Sequence, residues 1–109
     1  MVTRFSIAAA LISSAYFTLS ASAQSTDLTI GRHLAEKVCS ACHQIEANSQ
    51  GPGPNPKAPN FVDISRMSSM TELAIKVFLR TPHPSMPNFI LSSEEIDSLA
   101  AYIHSLSKK

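Results

Sequence analysis

Apolar side chains recur along this chain in distinct blocks, and the spacing inside each block limits what it can form. An apolar run from Phe5 to Leu19 follows a lone basic residue, Arg4, and gives way to Ala21, Ser22 and Ala23. That is the layout of a secretory signal ending in a small-x-small cleavage site, so residues 1–23 are expected to be removed. A transmembrane anchor is the competing reading, but it needs about 20 mainly apolar residues, and Ser6, Ser13, Ser14 and Thr18 break this shorter run. Farther on, Asp27 is placed to cap a helix in which Ile30, Leu34 and Val38 repeat every four residues. Ser69, Met70, Thr71 and Glu72 read as a capping box ahead of an apolar face of Leu73, Ala74, Val77 and Phe78, and Thr81 and Pro82 stop that helix. Ser92 to Glu95 repeat the capping signal. Behind them Ile96, Leu99, Ala100, Ile103 and Leu106 make one stripe of a final helix, with acidic residues at its positive end and Lys108 and Lys109 at its negative end. Tyr102 neighbours that stripe, whereas His104 falls on the other side and His33 lies off the first stripe, so both histidines are expected in solvent.

Between the first two helical patterns, residues 48–60 read NSQGPGPNPKAPN, too rich in proline and glycine for a helix or a central strand. A flexible linker between domains is one reading. Neither flank is large enough to be a domain alone, so the segment is expected to wrap around a shared core, and proline stiffness lowers the cost of ordering it. Gly31 interrupts the first helix at about 1 kcal/mol relative to alanine, which marks close packing by another element.

Composition sharpens this picture. The chain has 109 residues, no tryptophan and 6% aromatics, and removal of the first 23 leaves one small domain, residues 24–109. A domain of that size has difficulty burying enough apolar surface by itself, and a large apolar cofactor at its centre remedies the shortfall. Nine Lys and Arg stand against eight Asp and Glu, and Arg4 leaves with the signal, so the remaining domain is formally neutral. That balance argues against nucleic acid or an anionic membrane surface as a partner.

The candidate chemistry sits at the end of the first helical pattern. The only two cysteines, Cys39 and Cys42, are followed directly by His43 in the order C-x-x-C-H, the attachment signature of a c-type haem. At a helix end, positions i, i+3 and i+4 share one face, so two thiols and an imidazole point the same way. A thioredoxin-like redox pair is an alternative that expects βαβ surroundings, whereas the flanks here are helical. A zinc site would need two more ligands, and the other histidines show no paired spacing. A disulfide between cysteines three apart closes too small a loop to stabilise much. Met86 is a further candidate, in the stretch HPSMPNF, where Pro82, Pro84 and Pro87 stiffen the loop. A thioether is a soft, neutral donor that favours ferrous iron. Met67 and Met70 are more ordinary as core filler, and His83 is the rival donor, since a second imidazole favours ferric iron.

With CSACH, APNF, MPN and the LAAYIHSL of the last helix in place, the sequence resembles small bacterial class I c-type cytochromes over nearly all of residues 24–109. The resemblance implies an all-α cytochrome c fold, three to four short helices and proline-rich loops wrapped around one covalently bound haem. It implies thioethers to Cys39 and Cys42, His43 and Met86 as axial iron ligands, and a proline carbonyl holding the His43 ring, with Pro59 the first choice and Pro52 the alternative. It places the last helix against Gly31, and Phe61 and Ile64 on the haem. Phe89 and Ile90 are expected either at the haem edge or packed under the last helix. Phe78 stands where several members carry tryptophan, and the loop after His43 is long for the smallest of them.

The function so implied is a soluble, periplasmic, monomeric one-electron carrier of a respiratory chain, shuttling electrons between redox proteins, with no catalysis of its own and no membrane insertion once the signal is cleaved. A haem peroxidase or gas sensor with a labile Met86 is the alternative from another class. A cytochrome subunit of a periplasmic dehydrogenase or oxidase complex is the third.

Overall fold

The computed structural model describes residues 27–49 and 51–108; the expected signal segment lies outside them. Among the described residues there are four α-helices and no strand: α1 (Leu28–Leu34), α2 (Phe61–Arg66), α3 (Glu72–Arg80) and α4 (Ser93–Ser105). A π-helical turn, Ala35–Cys39, extends α1, and a 3-10 turn, Leu106–Lys108, closes α4. None of these helices is long and apolar enough to cross a membrane.

Polar side chains start each helix. Asp27 accepts from Thr29 N–H at 2.8 Å, Asn60 from Asp63 N–H at 2.7 Å, and Thr71 from Ala74 N–H at 3.1 Å. Ser92 and Glu95 form a reciprocal capping box, at 3.2 and 2.8 Å. The box expected at Ser69 is not made; Thr71 caps α3 instead, because the helix begins at Glu72 and leaves Ser69 and Met70 in the preceding turn.

The core gathers on α4 and the turn that closes it, where Leu99, Ala100, Ile103 and Leu106 are almost wholly buried with Ala35, Phe61 and Ile75. The buried face of α1 and its extension runs through Gly31, Ala35 and Cys39, and of the expected stripe Leu34 and Val38 pack partly buried against the core beside it while Ile30 does not. Ile30 is 53% exposed. Small residues decide this face: a Cβ on Gly31 would overlap the Ser98 carbonyl oxygen and stand 2.9 Å from Tyr102 Cβ. Only a side-chain-free strip lets α1 and α4 approach so closely. On α3 the expected apolar face is likewise displaced. Ile75 is buried and Leu79 partly so, whereas Leu73, Val77 and Phe78 are more than half exposed. Lys76 spans Glu72 and Asp97 at 3.1 and 3.2 Å, joining α3 to α4 on the turned face.

Tyr102 crosses the α1–α4 contact, and its hydroxyl donates to the Ile45 carbonyl at 2.9 Å. Burial pushes its phenol above the ordinary value of 10.0. His104 is half-buried rather than solvated: it sits on α4, whose neighbouring turns are covered, and its Nδ1 is shielded without a hydrogen-bond partner among the described residues. His33 is exposed beside Glu36.

Candidate haem site

The π turn brings the cysteine motif to the edge of the core. Ser40 N–H donates to the Ala35 carbonyl at 2.9 Å, which absorbs one extra residue into the helical ladder. Immediately after it, Cys42 and His43 N–H both donate to the Cys39 carbonyl, at 3.1 and 2.9 Å. One helical turn therefore links Cys39 to His43, and all three side chains line a single cleft. Neither cysteine is in a disulfide. Burial pushes the Cys39 thiol up to about 11, the opposite of the lowered thiol that a thioredoxin-like pair requires. No group of three or more His, Cys, Asp or Glu side chains gathers to hold a metal ion among the described residues.

The proline-rich segment straps the chain leaving this motif. A Cβ on Gly53 would collide with the Gln44 nitrogen and stand 2.6 Å from the His43 carbonyl carbon. Glycine at 53 is thus the residue that lets the strap lie on the backbone. Asn55 N–H then donates to the Cys42 carbonyl at 3.1 Å, and Phe61 N–H to the Gln44 carbonyl at 2.9 Å. Between these two ties, the Pro59 carbonyl accepts from His43 Nδ1–H at 2.6 Å. A carbonyl can only accept, so the proton is on Nδ1 and the Nε2 lone pair is left bare. The Phe61 ring lies 5.3 Å from the imidazole at 46°. Pro52, the alternative acceptor, is exposed at the outer end of the strap. The role of Gly53 had no distinguishing signal in a stretch already full of glycine and proline.

The facing wall comes from residues 82–89. Met86 and His83 both line the cleft, with His83 Nε2 only 2.8 Å from Met86 Sδ. Ser85 between them has φ 70°, a left-handed conformation that non-glycine residues seldom adopt. Phe89 borders the cleft, but Ile90 is 100% exposed and so packs under no helix. Met67 and Met70 also border the cleft, from the turn before α3.

The cleft measures about 490 Å³ and is walled by Phe61, Ile64, Ile75, Leu79 and Ile103. That size suits a cofactor site. Two free thiols, the His43 imidazole held by Pro59, the His83 imidazole and the thioethers of Met67, Met70 and Met86 line it, a set that contains what a covalently attached haem needs. Residues 28–107 match the cytochrome c family. The chain belongs to that family. A cytochrome c-552 from Bradyrhizobium diazoefficiens is 38% identical over 87 residues, which cover 80% of this chain and 82% of the relative. No solved structure matches the chain. As a cytochrome c the protein carries covalently bound, iron-containing haem c and transfers electrons; it is not an enzyme.

Proposed function

We propose that this cytochrome is a soluble periplasmic one-electron carrier, anchored to its haem through Cys39 and Cys42 and holding the iron between His43 and Met86. The observation that carries the reading is the convergence of these four side chains on one apolar cleft, with His43 already oriented by the Pro59 carbonyl. The haem supplies the one-electron couple. The chain does the rest. The cysteines fix the group to the end of α1, and the hydrogen bond to Pro59 holds the His43 ring and raises its donor strength. A thioether from a proline-stiffened loop favours the reduced state, which raises the potential. A ligand held by such a loop moves little between oxidation states, so the protein need not reorganise during transfer. Phe78, Phe89 and Met67 leave apolar surface at the cleft margin, where a redox protein partner can approach the monomer.

Periplasmic location rests on the signal-like residues 1–23 and on covalent haem attachment outside the cytoplasm. Amino-terminal sequencing of the exported protein should begin at Gln24. The ligand assignment is tested by Met86→Ala: the methionine-to-iron charge-transfer band of the oxidised protein should vanish and the reduction potential should fall. An unchanged spectrum moves the ligand elsewhere. His83 is the second reading, favoured by its place 2.8 Å from Met86; under it the wild type itself lacks the band.

A further inference from the structure

The distal wall holds two donors where one coordination position needs one. We propose that His83 is a reserve distal ligand: when the Met86 thioether leaves the iron, the His83 imidazole takes its place and keeps the site closed to small external ligands. This rests on the reading of Met86 as resident ligand.

The side chain is built as a ligand would be. His83 Nδ1 lies 3.1 Å from the Thr81 carbonyl and Nε2 2.8 Å from Met86 Sδ; carbonyl and thioether both only accept, so a neutral ring donates to one of the two, and once the thioether moves away the proton on Nδ1 stays with Thr81 and leaves the Nε2 lone pair free for iron. That repeats the arrangement of His43, whose Nδ1 is engaged by the Pro59 carbonyl. The edge of the His83 ring also meets Phe78, with centroids 6.1 Å apart at 81°. Orientation by a backbone acceptor is what imidazole ligands generally require.

The loop also has a means of exchange. Pro82 and Pro84 fix the backbone on either side of His83, whereas Ser85, directly before Met86, carries the left-handed φ of 70°. Relaxation of that one residue to an ordinary conformation re-aims Met86 and leaves His83 where it is. His83 and Met86 together border both the main cleft and a smaller adjoining space of about 20 Å³. With the position refilled, an external anion meets an occupied site, and its apparent affinity falls by the fraction of time that the site is open.

Four haem-loaded proteins test this: wild type, His83→Ala, Met86→Leu, and the double variant. Leucine conserves volume and removes the donor, and Met86→Ala serves as a second version should the first not accumulate. Wild type and His83→Ala should both show the methionine charge-transfer band. Met86→Leu should lose it yet stay low-spin by absorption and electron paramagnetic resonance, with the signature of two nitrogen donors, and the double variant should turn high-spin. Azide should bind the double variant at least about tenfold more tightly than Met86→Leu. High-spin Met86→Leu, a low-spin double variant or equal azide affinities overturn the proposal while leaving Met86 as resident ligand. A wild type without the band, together with a high-spin His83→Ala, overturns the Met86 reading itself and the proposal with it.

Discussion

Gly31→Ala separates local preference from tertiary demand, because the two predict opposite signs. By helix propensity alone, alanine in α1 stabilises by about 1 kcal/mol. In the folded protein the new Cβ overlaps the Ser98 carbonyl oxygen and lies 2.6 Å from its carbon and 2.9 Å from Tyr102 Cβ, where ordinary contact begins at 3.4 Å. Two of these three atoms are α4 backbone, which cannot rotate away, so the helices must part. A gap of ~0.5–1 Å forfeits a quarter to a half of each contact along the seam, and overpacking of this kind costs about 1–3 kcal/mol, occasionally more. With the clash at the upper end of that range, the net expectation is a loss of about 2 kcal/mol after the propensity gain. For a domain of this size that lowers the melting temperature by roughly 8–16 °C. The assay is guanidinium and thermal unfolding of the haem-loaded protein, followed by far-ultraviolet circular dichroism. Gly51→Ala is the control, since its Cβ meets nothing within 4 Å and carries only the strain of φ +92°. A midpoint for Gly31→Ala at or above wild type refutes the packing argument.

Tyr102→Phe leaves the buried Ile45 carbonyl without its donor and should cost about 1–3 kcal/mol at neutral pH. Because burial raises the phenol above 10.0, its contribution is present below that pH and is lost as pH rises through the higher folded value. Unfolding midpoints should therefore fall as pH rises above about 10 in wild type and less steeply in Tyr102→Phe; parallel curves count against it. At Ser85, glycine should be tolerated, whereas Ser85→Val should weaken the charge-transfer band, since a β-branched residue resists positive φ; equal spectra would show that this loop conformation does not hold Met86. Replacing Cys39 and Cys42 together by alanine should leave haem absent or loosely held and the chain poorly folded, as chromatography and circular dichroism would show. A stable, compact haem-free variant contradicts the cofactor-as-core argument.

The parts legible in the sequence are those governed by near neighbours along the chain. The C-x-x-C-H order places two thiols and an imidazole on one helical turn wherever that turn lies, and Ser92 with Glu95 caps α4 in any surroundings. The Ile96, Leu99, Ala100, Ile103 and Leu106 stripe is buried as read, because a helix of 13 residues commits its face by periodicity. Shorter helices do not. The seven residues of α1 and nine of α3 turn to whichever face their partners allow, so Gly31 and Ile75 are inside while Ile30 and Leu73 are not. Contacts across long sequence separations belonged to the tertiary structure alone: the seat of Gly53 on the His43 backbone and the reach of Tyr102 to Ile45, whereas the meeting of α1 with the last helix was already marked by Gly31 together with the family resemblance. His83 and Met86, though only three residues apart, needed it too, because a proline-bound loop has no regular period from which side-chain direction can be read. Their 2.8 Å approach follows from the backbone at Ser85, which no pattern of residue types displays.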